Sequence, residues 1–449
     1  MKRWIELLFY VSVGAGMALA TSVFTMVGGL FAVANLAWIV ISVLLAGVFC
    51  AGISLSIGEL ASMYPSAPGI RTYFKAAFGE FPSLVAIYLY LAFAIIVAGL
   101  ESFVFATVVG FVAPSFPQQV TVLMLLLAVV AINLLGFRLP RGLQIAATVG
   151  AVALVLTASV QGVFQVRPDL EPQFASAWAG GSWGLLSSIV GMSIFLFTGF
   201  EWVTPLGLRP SAYRIQIPLS MLLGILLLTI VYLAFVLGAA AQLPSTSLAV
   251  SVAPQVLLFR QLYGGWGSGI GLGLSILAIF STFNAGMLGG AQLVYMLARE
   301  GALPSWCGSL SPRTGCPTGA ILLLGVLATV SSTIVLTFHL QIAVALVGAA
   351  IMCGVYAGFV LCGLRLRRTR PSAVRKFPNP LPYGCQILLA LVLAVVSVQT
   401  LFSDADNTVP AAAGLVLAVT VACLLAIYSA STRADLRKLA TTDQPEGAE

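Results

Sequence analysis

Charge is scarce in this sequence. Asp, Glu, Lys and Arg make up 8% of its 449 residues, while 60% are hydrophobic; ordinary soluble domains carry about 25% charged residues. A soluble fold of this size has no interior large enough to hide that much apolar surface, so a soluble enzyme or binding module is excluded. Histidine is nearly absent: His339 stands alone, in a turn expected on the outer side, and reads as exposed. Cysteine is missing from the outer loops. Cys50, Cys353, Cys362, Cys385 and Cys423 fall in or at the ends of apolar runs, and Cys307 and Cys316 fall in a cytoplasmic loop. No disulfides are expected, and the spacing fits no zinc pattern. Phosphate-cradling loops, paired metalloprotease histidines and nucleophile elbows are also missing, and the glycine-rich run near 264–273 lacks dinucleotide spacing. Neither an enzyme nor a metal or other cofactor is expected.

What is present is a series of long apolar runs. About 20 apolar residues cross a bilayer as one helix that satisfies its own backbone polar groups. Runs between polar breaks place spans near 9–33, 36–63, 83–113, 118–136, 143–165, 183–206, 217–240, 268–298, 318–338, 341–364, 384–402 and 408–430. The break near His339 is the shallowest. The chain thus reads as a single all-α polytopic membrane domain, residues 1–449, with about twelve transmembrane helices.

The few cations fix the expected topology. With the N-terminus cytoplasmic, 19 of the 21 Lys and Arg residues fall on the inner side, leaving Arg167 and Arg260 outside. This is a strong positive-inside bias, and it places both termini in the cytoplasm of a bacterial-type inner membrane. The net charge of +7 then faces anionic lipid headgroups and implies no nucleic-acid partner. Lys2 and Arg3 ahead of an apolar run, with Ala18-Leu19-Ala20, imitate a signal peptide. That reading is set aside because the same residues take part in the repeat described next.

Transporters are commonly built from inverted repeats whose first helices are interrupted at mid-membrane. The segment Val13 to Ser22 in the first span can be laid on Val190 to Gly199 in the sixth, with Val-Gly, Leu and Thr coinciding. The expected plan is a five-plus-five inverted repeat with broken first and sixth helices: 9–165, then 183–364, then two further helices over 384–430 and a cytoplasmic tail at 431–449. Small and hydroxylated residues at both places, with Pro205 closing the sixth span, weaken helical continuity. Unwound backbone there offers amides and carbonyls to a carboxylate or a small cation. Gly265, Gly269 and Gly273, then Gly286 and Gly290, recur at four-residue spacing within each group and are expected to form a close-packing face.

Three stretches resemble the amino acid, polyamine and organocation (APC) transporter superfamily. The first is Gly58-Glu59-Leu60 through Pro65 to Gly69, then Tyr73 and Phe78-Gly79. The second is Phe195 to Glu201, similar to the family's interrupted sixth helix. The third runs from Tyr295 through Arg299-Glu300-Gly301 and Pro304 to Thr314-Gly315-Cys316-Pro317. The likeness covers roughly the first 360 residues. It departs at Ala20-Thr21-Ser22-Val23-Phe24, where the family usually shows Gly-Ser-Gly-Ile-Phe, and at Pro68 and Arg71, which replace a usual Gly and Tyr. The fifth span has no lysine, which removes the lysine-based proton coupling of some relatives.

The resemblance implies a permease or exchanger that moves a small amino acid by alternating access. It places substrate near Ala20, Thr21, Ser22, Phe195, Thr198 and Gly199, with Glu201 as a proton holder or a brace of the broken helix. Glu101, alone in an apolar stretch of the third span, is matched to no motif. It could meet a substrate ammonium, relay protons, or be a hydrated carboxyl near the outer end; an ionised group at mid-membrane costs about 2.5–3.5 kcal/mol on insertion scales. Ser281 and Thr282 could hold sodium with carbonyls of the first span, or bond their own backbone. Glu59 is expected to pair with a loop arginine. Coupling by proton, sodium or exchange stays open, as does the choice between monomer and homodimer. The same fold could carry an amine or polyamine. A non-transporting sensor fits less well, because the tails are too short for a signalling domain.

Overall fold

The computed structural model describes residues 2–65, 69–111, 113–137, 140–170, 183–206 and 212–442; for 2–3, Thr21, Ser22, Trp183, 205–206, Ser281, Asn284 and 433–442 it describes the backbone only. Pro68 lies outside these ranges. The described residues are helical, with ten helices long and apolar enough to cross a membrane, or eleven if the bent pair at the N-terminus is one span. The order is α1 (Lys2–Ala18), α2 (Thr21–Val33), α3 (Leu36–Met63), α4 (Gly69–Phe78), α5 (Glu80–Gly110), α6 (Gln118–Leu134), α7 (Arg141–Phe164), α8 (Trp183–Phe197), α9 (Gln216–Gln242), α10 (Ser245–Ala249), α11 (Pro254–Arg299), α12 (Thr318–Phe338), α13 (Gln341–Thr369), α14 (Tyr383–Gln399) and α15 (Thr408–Thr442). Helix α6 is apolar but has only 17 residues, about 25 Å of rise against a hydrocarbon core of about 30 Å.

Burial separates centre from periphery. In the sixth span 83% of the apolar window is buried, and in α13 78%, against 17% in α15 and 33% in α7. Helices α3, α8 and α13 pack on one another at the centre, with α5 against α13 and α9 against α1, α3 and α7.

The first span is broken where the sequence predicts. The amide of Leu19 closes the last turn of α1 on Ala15 O at 2.8 Å. Ala20 is then extended (φ −74°, ψ 161°), and α2 starts afresh at Thr21. The two halves meet at 49°. The break strands the carbonyl of Ala18, and Tyr232 on α9 donates its hydroxyl to it at 2.7 Å. The sixth span breaks too, earlier than Pro205: α8 ends at Phe197 and a 3-10 turn covers Phe200–Leu206. Between them Gly199 has φ +115°, a backbone conformation that side chains with a Cβ rarely adopt.

The glycine face expected in the eighth span is not one. Among the described residues a Cβ on Gly265, Gly269, Gly273 or Gly286 would meet nothing within 4 Å, and of the five only Gly290 has a close neighbour, Leu324. The reason is a kink at Gly264 (φ 62°) inside α11. It folds Pro254 to Tyr263 back over the next turns, so Gly267 and Gly271 take the close contacts, against Phe259 and Val256. Four-residue spacing gives the face but not the neighbour.

At the end of the bundle that carries the basic loops, two ionic clusters tie helices together. Glu59, at the end of α3, accepts from Arg367 Nε at 3.0 Å, from Arg375 Nε at 2.9 Å and from the amide of Asn379 at 2.8 Å. In place of one loop arginine there are two partners, Arg367 in the last turn of α13 and Arg375 in the loop after it. In the second cluster the buried Arg71 on α4 pairs with Glu80 and with Glu300 at the end of α11.

Candidate functional site

The two breaks lie side by side. A Cβ on Gly14 would sit 3.2 Å from Phe200 O, and one on Gly199 3.2 Å from both Ala18 N and Met17 Cβ. Close approach at both positions lets two interrupted helices share one space. That space is a cavity of about 100 Å³ bounded by both breaks and by α5, α11 and α12.

Of the residues singled out in the sequence, Ala20, Phe195, Thr198, Gly199 and Glu101 line this cavity, and Thr282 lines it as well. The side chains of Thr21, Ser22 and Ser281 lie outside the described ones. Glu101 is buried, 1% exposed, and is the one charged side chain on the described wall. The buried hydroxyl of Thr282 has no hydrogen-bond partner among the described residues, whereas Thr198 returns its hydroxyl to Phe195 O at 2.7 Å, capping the end of α8.

Glu201 takes a different place. It lies behind the cavity, 2% exposed, lining a small void on the basic-loop side. Its carboxylate accepts from Tyr90 Oη at 2.9 Å, from Tyr356 Oη at 2.8 Å and from the amide of Gly199 at 3.2 Å. Three elements, α5, α13 and the sixth-span break, are held through one carboxylate.

Several wall residues carry no sequence signal. Trp202 lines both the cavity and the void behind it, and its ring stacks on Tyr90 with centroids 5.5 Å apart at 28°. It therefore closes the cavity toward the basic loops. Phe93 meets Phe195 edge-on at 6.2 Å, and Met17, Phe283 and Met287 complete an apolar lining. These are ordinary apolar residues in a chain made mostly of them. Tyr90 and Tyr356 were more legible, since a buried tyrosine in an apolar helix needs a partner for its hydroxyl.

The two helix ends give the site its polarity. Ala20 and Val23 on the wall mark the N-terminus of α2, and Thr198 marks the C-terminus of α8. An N-terminus carries about half a positive charge on free amides and a C-terminus about half a negative charge on free carbonyls. The cavity can thus receive a carboxylate on one side and an ammonium on the other.

A model of the amino acid permease family matches residues 7–427. The chain belongs to the amino acid permease family. Within it, the permease is 26% identical over 403 residues to L-asparagine permease 2 of Mycobacterium bovis, covering 85% of this chain and 82% of the relative. It is 24% identical over 323 residues to the arginine/ornithine antiporter ArcD2 of Lactococcus lactis, covering 64% and 63%. With the uncharacterized amino acid permease YecA of Bacillus subtilis it shares 24% over 266 residues, 58% of this chain and 61% of that one. Among solved structures, a manganese transporter of Eremococcus coleocola superposes with a TM-score of 0.55 over 96% of both chains at 14% identity. At that identity the likeness speaks for the fold. The permease is a multi-pass membrane transporter whose relatives are permeases and transporters.

Proposed function

We propose that the permease is a secondary active transporter that carries a small amino acid across the cytoplasmic membrane by alternating access, driven by exchange or by an ion gradient. One observation carries this reading: two broken helices with opposite end polarity face one cavity. The amino acid's carboxylate lies at the N-terminus of α2. Its ammonium lies toward the carbonyls ending α8 and toward Glu101. A volume of about 100 Å³ is small beside the roughly 300–1,000 Å³ of pockets that hold drug-sized ligands, which favours a small cargo. The five-plus-five inverted repeat, with both termini cytoplasmic, supplies the two access states.

The test is counterflow in proteoliposomes, loading unlabelled amino acids or amines in pools and following the labelled counterpart inward with no imposed gradient. The expected result is uptake for one amino acid pool. Uptake for no pool by a folded, inserted protein would overturn the transport reading.

An amine of the same size is the second reading, and Glu101 favours it, because no cationic side chain stands on the described wall to meet a carboxylate. In either case Glu101→Gln is expected to weaken cargo binding by about tenfold or more, since a hydrogen bond to a charged group contributes about 1.5–3 kcal/mol. Competition binding on the purified variant measures this. An unchanged affinity would remove Glu101 from the site. Uptake of an amine pool with no amino acid pool active would select the amine.

A further inference from the structure

A second cavity, about 610 Å³, runs between α5, α12, α13 and α15 on the flank of the bundle. Among its lining residues Tyr88 alone has a polar side chain, and its hydroxyl is engaged by Ser429 Oγ at 2.6 Å and by Ala302 O at 2.9 Å. Every other wall residue is aliphatic or glycine. Such a space does not hold water, which needs two to four polar partners. Left empty it forfeits dispersion contacts along its whole wall.

The groove is continuous with the lipid-facing surface. Of its lining residues, Ile334 is 44% exposed and Leu417 64% exposed, and α15 is the least buried of the long helices. From Pro410 to Leu425, its first and last lining positions on α15, the helix rises about 22 Å. One leaflet of the hydrocarbon core is about 15 Å deep, so one leaflet's chain fits lengthwise.

Charge selects the leaflet. At the end of the groove marked by Leu303 and Leu425, Ser429 donates to Ala302 O at 2.8 Å. This joins α15 to the loop just after the exposed Arg299, in the last turn of α11. Arg433, Arg437 and Lys438 follow in the sequence of α15. Basic residues near the headgroups attract anionic lipid.

We propose that this groove is a lipid site, holding one acyl chain of an anionic phospholipid from the leaflet that faces the basic loops. Ile95 and Leu324 line both this groove and the central cavity. The chain therefore lies one layer of side chains from the cargo space. The inference rests on the chain spanning a membrane and not on the nature of the cargo.

The experiment uses the purified full-length protein with a few molecules per protein of phosphatidylglycerol carrying a photoactivatable diazirine in its acyl chain, followed by peptide mass spectrometry. Adducts are expected to concentrate on peptides covering 88–96, 323–327 and 410–425. Unlabelled phosphatidylglycerol is expected to displace them at about a tenth of the concentration that phosphatidylcholine needs. Ala418→Phe, which fills the groove, is expected to lower labelling at least fivefold, while Val326→Phe on an exposed face leaves it unchanged. Adducts spread over α6 and α7 in proportion to exposure would overturn the proposal. So would equal displacement by the two lipids, which tests the wild-type protein alone and stands even if the groove variant fails to fold.

Discussion

A single methyl group at Gly199 is expected to lower exchange by about a hundredfold while the protein still inserts. At φ +115° an alanine is strained by about 1–3 kcal/mol, and its Cβ would lie 3.2 Å from the backbone of Ala18 and from Met17. Relief comes only by separating the two breaks or by turning the Gly199 amide away from Glu201, which it now reaches at 3.2 Å. Either movement reshapes the wall that the cargo meets, and about 2.7 kcal/mol is a hundredfold. Counterflow rates of Gly199→Ala against wild type, normalised to inserted protein, measure this. A rate within twofold would mean that the sixth-span break is not part of the cargo site.

The second large effect separates a brace from a proton carrier at Glu201. Glu201→Ala leaves the hydroxyls of Tyr90 and Tyr356 and the amide of Gly199 without their acceptor. Each orphaned buried group costs about 1–3 kcal/mol, so transport is expected to fall below a hundredth of wild type. Glutamine keeps one oxygen for the Gly199 amide and one tyrosine, and the other tyrosine can turn its hydroxyl to accept from the new amide. Glu201→Gln is therefore expected to retain transport within about tenfold and to leave its pH profile where it was. A Gln variant whose pH dependence disappears would instead assign Glu201 a proton role.

Which parts of this arrangement can be read in the sequence follows from how rare each residue type is in its setting. The breaks are legible because Thr21-Ser22 and Thr198-Gly199 are weak helix formers in otherwise aliphatic spans. Laid one on the other by their flanking Val-Gly, they fall within two positions in the aligned segments, and the structure interrupts both helices there. Glu59 was legible for the same reason: a carboxylate at a helix end beside basic loops has few alternatives to an arginine. That it gathers two, Arg367 and Arg375, both more than 300 residues away in sequence, depends on a long-range fold that no local pattern encodes. The apolar wall, Trp202 and Phe93 above all, was illegible because an aromatic residue among so many apolar ones carries no positional signal. The glycines of α11 misled because their spacing gave a face, while the kink at Gly264 decided which face was covered.

Gly286 offers the most direct test of the cavity as the cargo site. It lies on the cavity wall, and a Cβ there would meet nothing within 4 Å among the described residues, so a side chain built outward from it enters the cavity. Counterflow should be run on wild type and Gly286→Trp side by side, with the monodispersity of each checked in detergent. If cargo occupies the space between the two breaks, wild type exchanges and Gly286→Trp is folded, inserted and silent. A folded Gly286→Trp that exchanges at the wild-type rate would place the cargo somewhere else.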